Sequence, residues 1–571
     1  MSSLLELYKV IFPDDSADDP FQEIPILPAD VFAFAATALD KSGAYHHVAP
    51  DIESLISSNY RNLIVTDTMR AEAAHLGKTW REKDFPAKQL LPKPPQKIDE
   101  VWQELRAYKD TEIFVTLHPN QPSPLWWSIC LKLLMISDEA SLDIGFNQEN
   151  PFSRIVLNAY LFEDAIRSKT FRRIQHAPKS LSTASEDILC VQPKSRTPAV
   201  GCTLRSLSHH LALLPPRGSV KARWIEPPSA NTFRTDETEL GLLLVPYPYE
   251  IENESFSAIG VDRSEHWGWF DANQTWLPKG TQQISEFIEF IMSLIADSRD
   301  KGLPVNGVIL PELSLNYEIF LKLGDRLAKD AKIDFLISGI SSNKDDRRGN
   351  FVAIAPFFLF RLEQDYLLKS WEPLALIREK HHRWKLQKSQ IQEYNLSLDE
   401  DKSWWENLTI LSRSLDFLVY KGDTTLTTLI CEDLARMDPC QAVIRAIGPN
   451  LLIALLMDGP QLIQRWPSRY ATVLTEDPGS SVLTFTSMGL ISRQNGIGKH
   501  PQASSIALWS DERNASKPIE LPRNADGITL ILHKQAKNER TLDGREDNNN
   551  SHAWIYKKHI PVKSADKPDW I

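Results

Sequence analysis

The chain has 571 residues with 64 Lys or Arg against 75 Asp or Glu, a formal net charge of −11, and a hydrophobic content of 42%. That length holds roughly two to four domains and that apolar content a sizeable core, while the acidic balance argues against general affinity for nucleic acid or anionic membrane. Five cysteines at irregular spacing make neither a disulfide framework nor a metal-ligand pattern and suit a reducing compartment.

The N-terminal stretch MSSLLELYKVIFPDD has no basic region followed by an apolar run and small-residue cleavage site. No apolar stretch approaches the ~20 residues of a membrane span. A cytoplasmic protein is expected. The first 235 residues read as a mainly helical domain with Pro-broken connections. Residues 31–42, 51–80, 98–110, 124–137 and 154–174 carry helical spacing, with Asp51 a candidate N-cap. TLRSLSHHLALLPP (203–216) reads as a further helix stopped by two prolines, with His209 and His210 as packed or surface side chains. The polar, Pro-bearing segment 224–239 reads as the inter-domain linker.

From Leu240 the texture changes to strand–helix alternation. Strands are expected in 240–251, 305–313, 334–342, 350–358, 416–430, 451–459, 480–489, 504–511 and 528–535, with helices at 282–302 and 316–332. So many strands with helices between them predict two sheets stacked face to face and flanked by helices. This second domain is placed at 236–536. Residues 537–571 are polar and read as a flexible or docking tail.

Three strand ends carry chemistry-bearing residues. TTLTTLICEDLAR (424–436) is a strand that stops at Cys431, VNGVILPELS (305–314) delivers Glu312, and LALIREKHH (374–382) delivers Lys380. A thiol needs a base to become a thiolate and donors for the oxyanion it creates. Each residue also has a plainer reading. Cys431 can be a small buried hydrophobe, Glu312 a solvated loop acid, and Lys380 one member of the basic run REKHHRWK. Cys130, Cys190, Cys202 and Cys440 lack comparable company and read as core.

Taken together, LPELS, REKHH and LICEDLAR resemble the Glu, Lys and Cys boxes of the carbon–nitrogen hydrolase (nitrilase) superfamily, with Lys380 two residues before His382. The resemblance covers roughly the C-terminal half. It implies an α/β fold, a four-layer α-β-β-α sandwich, here preceded by the mainly helical N-terminal domain. It further implies Glu312 as base, Cys431 as nucleophile, and Lys380 with the Glu432 N–H as oxyanion donors. Glu393 is the candidate for the second Glu that orients the Lys. DGPQLIQRWPSRYA (458–471) resembles the family's pocket-lining segment, where Trp466 and Arg469 would shape the substrate site or a homo-oligomer face, or simply pack. The inserts 341–350 and 397–408 depart from the short loops of the family and would cap the site or bind a partner. TLRSLSHHLALLPP and the ARW that follows it resemble bacterial antiviral proteins in which a nitrilase-like domain is joined to a reverse transcriptase. With no polymerase motif in this chain, a reverse transcriptase would be a separate partner.

There is no H-E-x-x-H, paired C-x-x-C or P-loop, so no metal or nucleotide cofactor is expected. Two readings stand. One is a Cys-dependent hydrolase of a small amide or nitrile through a thioester. The other is a scaffold or sensor within a larger assembly.

Overall fold

The computed structural model describes residues 3–13, 19–50, 63–82, 94–115, 121–146, 152, 180–198, 201, 203–217, 220–226, 238–260, 264–363, 370–438, 440–514 and 516–571. The expected helix over 154–174, the Asp51 cap, Cys202 and most of the expected linker lie outside these residues. The chain is mixed α/β. No described helix is long and apolar enough to cross a membrane.

The N-terminal region contributes the helices Leu4–Ile11, Pro28–Ser42, Asp67–Arg81, Gln96–Arg106 and Leu125–Ala140. They bury one apolar cluster that includes Trp80, Trp102, Trp126 and Trp127. Spacing dictates the faces. In Gln96–Arg106 the buried set is Ile98, Val101, Trp102 and Leu105, an i, i+3, i+4, i+7 stripe. The expected 51–80 helix is shorter than its pattern, since Leu63–Val65 pairs as a strand with Val48–Pro50 and the helix begins only at Asp67.

The helix expected at 203–216 is not formed. Leu204–Leu207 is a single 3₁₀ turn, and Leu211–Leu214 is a strand paired with Cys190–Pro193. The reason is an acceptor from elsewhere in the chain. The buried Asp138 carboxylate takes the backbone N–H groups of His209, His210 and Leu211 at 2.8, 2.9 and 3.2 Å. Backbone donors satisfied this way have no need of the carbonyls a helix would supply.

Two seven-stranded sheets organise the rest. The first runs, edge to edge, Leu376–Glu379, Arg348–Pro356, Phe335–Ser342, Gly307–Leu315, Glu239–Leu244, Gly527–Lys537 and Ser551–Val562. The second runs Lys517–Glu520, Ser505–Ser510, Ser481–Thr486, Leu451–Leu456, Thr424–Ile430, Ser414–Tyr420 and Lys221–Ile225. Central strands such as Leu451–Leu456 and Gly307–Leu315 are buried along their whole length, as strands covered on both faces must be. The strands Gly307–Leu315 and Leu451–Leu456 approach each other across the sheets, as do Arg348–Pro356 and Thr424–Ile430. One continuous apolar core lies between them. Polar bonds also cross, among them Tyr420 Oη to Asp334 at 2.6 Å and Thr424 Oγ1 with His552 Nε2 at 2.8 Å.

Both expected boundaries meet a strand. Lys221–Ile225, on the N-terminal side, pairs in parallel with Ser414–Leu418 as an edge of the second sheet. Within 537–571, Ser551–Val562 pairs with Gly527–Lys537 over its full length. This segment is therefore no flexible tail. Its polar composition hid a short apolar run in which Ala553, Trp554 and Ile555 are buried. The insert 341–350 forms the turn of a β-hairpin between the strands ending at Ser342 and starting at Arg348. The insert 397–408 holds the strand Ser403–Glu406, part of a four-stranded sheet with Lys385–Leu386, Trp267–Ala272 and Phe256–Ile259.

Candidate functional site

Glu312 lies within its strand at a bulge. Pairing with the neighbouring strand shifts register between Ser338/Leu310 and Ile340/Leu315, and Leu313 takes φ +53. The opposing residue is Gly339, where a Cβ would stand 2.4 Å from Glu312 Cα and 2.5 Å from Leu313 N. Only glycine permits that approach, and the bulge re-aims the Glu312 side chain.

Lys380 follows directly on the strand Leu376–Glu379. Its Nζ donates to Glu312 Oε1 at 2.8 Å and to Glu406 Oε2 at 2.7 Å. Asn350, near the start of the strand Arg348–Pro356, donates from Nδ2 to the same two acids, at 2.7 Å to Glu312 Oε1 and 2.9 Å to Glu406 Oε1. The Trp384 N–H adds a bond to Glu406 Oε2 at 2.9 Å. Glu312 and Lys380 are each 1% exposed. Glu312 Oε2 is buried and has no hydrogen-bond partner among the described residues.

Cys431 follows the last residue of Thr424–Ile430 with φ +42 and ψ −106, a conformation a β-carbon disfavours. Its N–H donates to Leu455 O at 2.9 Å. A short helical turn, Glu432–Ala435, comes next. The corner is clamped to the Lys380 segment through Asp433. That carboxylate accepts the His381 and His382 N–H groups at 2.9 and 3.1 Å and bonds His382 Nδ1 at 3.1 Å, with Arg378 Nη1 at 3.5 Å. Arg378 also reaches Thr428 O in the Cys431 strand at 2.8 Å. His381 bonds Cys440 Sγ through Nδ1 at 2.8 Å. Cys440 thus has a structural partner.

The electrostatics follow from burial and neighbours. Burial raises the Glu312 carboxyl above its ordinary value, and Glu406 adds to this against the pull of Lys380. Lys380 stays charged. Burial works against its ammonium, but Glu312 and Glu406 outweigh it and hold its pKa well above normal. The Cys431 thiol is pushed well up, first by burial, then by Glu312, with Lys380 opposing and Glu432 and Asp458 adding to the rise. The Cys431 side chain is therefore a neutral thiol at rest. Burial works to raise Asp433, yet its bond from His382 and the charge of Arg378 hold it low, as an anion.

The expected residues divide. Glu312 and Lys380 meet directly, and Cys431 lies within reach of both charges. Glu393 does not join them. On the helix Lys388–Tyr394 its carboxylate pairs with Arg465 Nη1 at 2.8 Å. Glu406 stands beside Lys380 in its place. Glu406 and Asn350 are the residues the sequence reading missed. For Glu406 the signal was present, a Glu closing an aromatic strand, SWWE, just as Glu312 follows VILP. Trp466 starts the helix Trp466–Glu476 and packs against the main core. Among the described residues no group of three or more His, Cys, Asp or Glu could hold a metal ion.

The arrangement holds one carboxylate oxygen free for a proton, a fixed ammonium beside it, and a thiol at a strained corner. These are the parts of a base, an oxyanion donor and a nucleophile.

No family model and no curated protein matches this sequence. Among solved structures it is similar to the glutamine-dependent NAD+ synthetase from Acinetobacter baumannii, with TM-score 0.29 and 11% identity over 57% of this chain and 49% of that one. It is also similar to an amidase from Nesterenkonia sp., with TM-score 0.29 and 12% identity over 52% and 89%. A CN-hydrolase superfamily protein from Xanthomonas campestris overlaps at TM-score 0.28 and 10% identity over 58% and 92%. The chain spans about half the length of the synthetase. Overlaps at these TM-scores carry no argument for fold or activity.

Proposed function

We propose that this chain is a Cys-dependent hydrolase of a non-peptide carbon–nitrogen bond, in an amide or nitrile, acting through a thioester. Its two sheets are read as the inner layers of a four-layer α-β-β-α sandwich of nitrilase type, preceded by a mainly helical region. The observation that carries the reading is the unpartnered Glu312 Oε2 in a closed cluster whose other carboxylate oxygens are engaged by Lys380, Asn350 and Trp384.

The chemistry follows from an amide substrate. Glu312 Oε2 takes the Cys431 proton as Sγ attacks the carbonyl carbon. The new oxyanion is met by Lys380 Nζ and the Glu432 N–H. Collapse breaks the C–N bond, and the proton on Glu312 passes to the leaving nitrogen as ammonia or an amine departs. Glu312 then takes a proton from water, which attacks the thioester and releases the acid and the thiol. Burial favours the protonated Glu312 that this step produces. Glu406 and Asn350 orient Lys380 and Glu312 and touch no substrate.

The test is ammonia release from a panel of small amides and nitriles, with hydroxylamine added to capture an acyl group on Cys431. The wild type is expected to turn over at least one amide and to yield a hydroxamate, and Cys431→Ala to do neither. An unchanged Cys431→Ala turnover would remove the proposal. The same reading takes a cytoplasmic setting for the four described free thiols and a homo-oligomer of the chain. A second reading, a scaffold or sensor in a larger assembly such as antiviral defence with a reverse transcriptase partner, is favoured by one observation. The N-terminal helices bury a core of their own and lend no residue to the Glu312 cluster.

A further inference from the structure

Asp458 stands two residues beyond the strand Leu451–Leu456, the parallel neighbour of the Cys431 strand, so the two side chains occupy the C-terminal ends of adjacent strands. Ligands of α/β sheets bind at such ends. Asp458 is only 6% exposed. Its Oδ1 accepts from Tyr394 Oη at 2.7 Å and from Arg465 Nη2 at 2.8 Å. Its Oδ2 is buried and has no hydrogen-bond partner among the described residues. A buried carboxylate oxygen without a donor is costly, and a ligand that supplies one recovers the cost.

The wall that carries Asp458 meets the Glu312 cluster. Leu313, Trp384, Tyr394 and Met457 belong to one buried apolar group, and the Trp384 and Tyr394 rings lie 6.3 Å apart. Asp458 is close enough for its charge to bear on Cys431. Both walls have the same imbalance. Glu312 and Glu406 share the single cation Lys380, and Glu393 and Asp458 share the single cation Arg465. Gln494 Oε1 is a further buried acceptor with no partner among the described residues, next to Gly459, where a Cβ would stand 2.2 Å from it. A wall with unfilled acceptors and surplus negative charge suits a ligand that brings N–H donors and positive charge.

We propose that the site selects amides bearing a cationic group, an ammonium or guanidinium, whose N–H donates to Asp458 Oδ2. This rests on the hydrolase reading of Cys431 and names the substrate class of that same site. The bound cation also offsets the carboxylates that oppose ionisation of the thiol.

The test uses three alkylating amides on the full chain, with Cys431 modification followed by peptide mass spectrometry. They are chloroacetamide, N-(2-aminoethyl)-2-chloroacetamide and N-(chloroacetyl)glycine, which are neutral, cationic and anionic, each corrected for its rate with free cysteine. In the wild type the cationic probe is expected to react about tenfold faster than the neutral one, and the anionic probe about tenfold slower, each equivalent to about 1.4 kcal/mol. Asp458→Asn is expected to abolish most of the cationic advantage. Equal rates in the wild type, an anionic preference, or an undiminished cationic preference in folded Asp458→Asn would overturn the inference while leaving the hydrolase reading in place. A Cys431 inert to all three probes would remove both. Should Asp458→Asn fail to fold, the wild-type rate order decides alone.

Discussion

Lys380 is a buried ammonium between two carboxylates, at 2.8 and 2.7 Å, in a place with almost no water. Removing one partner of such a set leaves uncompensated charge in a poor solvent, which costs about 3–5 kcal/mol. Lys380→Met is therefore expected to lower stability by that amount at pH 7 in urea unfolding, as well as to lose activity. The deficit has a pH sign. Burial already raises the Glu312 pKa and Lys380 opposes that rise, so losing Lys380 raises it further and the folded variant binds a proton there at higher pH than the unfolded chain does. Stability of the variant then recovers as pH falls towards 5. A cost under about 1 kcal/mol at pH 7 would mean the trio is not held as described. The two other acids separate by role. Glu406→Gln is expected to cut turnover at least about a hundredfold because it releases Lys380, whereas Glu393→Gln leaves the Lys380 cluster intact and is expected to lower turnover far less. Equal losses in kcat would contradict the assignment. At this scale Glu312 and Cys431 stood out in the sequence because each interrupts or ends an apolar run, whereas Lys380, within the basic run REKHHRWK, stood out only through its spacing to His382. It did not show Glu406, because SLDEDKSWWENL is charged at one end and aromatic at the other and read as an insert. Asn350 was hidden for a different reason. A single Asn near the head of a strand has many ordinary uses, and only the pairing of Arg348–Pro356 with the Lys380 strand, one strand removed from that of Glu312, gives it this one.

The elements aim these side chains, and Gly339 is the clearest case. A Cβ there would sit within 2.5 Å of the Glu312 backbone. Gly339→Ala is expected to cost about 1–3 kcal/mol through overpacking. It should also displace Glu312 and so slow Cys431 alkylation, although it changes no ionisable group. A stable Gly339→Ala protein with wild-type alkylation would show that the bulge does not position the base. Element type was legible wherever the apolar period was strong, as in Gln96–Arg106 and Leu451–Leu456. It failed at 203–216, where the deciding atoms belong to Asp138, some seventy residues upstream. No local window contains that acceptor.

Across the whole molecule the last strand closes the first sheet. Trp554 and Val562 are fully buried, and burial of a Trp side chain alone removes about 150–250 Å² from water, worth roughly 4–6 kcal/mol. A chain ended after Lys537 is expected to be unfolded or insoluble. A folded, monodisperse truncation would restore the reading of 537–571 as a tail. His552, in the same strand, links to Thr424 of the Cys431 strand across the sheets and is held neutral, burial lowering its pKa to about 3. The unfolded chain takes up this proton below pH 6.5 and the native chain does not, so the contribution is full above 6.5 and declines as pH falls, by about 1.4 kcal/mol per unit. Half-buried Glu226, raised to about 7 by desolvation, acts with the opposite sign. The difference between wild type and His552→Gln isolates the histidine, and the stability gap between them should narrow by about that slope from pH 6.5 to 4.5. A gap independent of pH would contradict a neutral buried His552. Composition could not reveal such links, since both expected domain boundaries fell in polar sequence and the pairings that cross or follow them are long-range.

The central claim, that Glu312 serves Cys431 as its base, is tested most directly by iodoacetamide labelling at pH 7 with site-resolved mass spectrometry. All four described thiols are buried, and Cys431 is the one on which the charges of both Glu312 and Lys380 bear. Cys431 is expected to label faster than Cys130, Cys190 and Cys440, and Glu312→Gln to slow it by at least about a hundredfold, the lower range for a positioned base. Labelling of Cys431 no faster than Cys440, or at an unchanged rate in folded Glu312→Gln, would contradict the account.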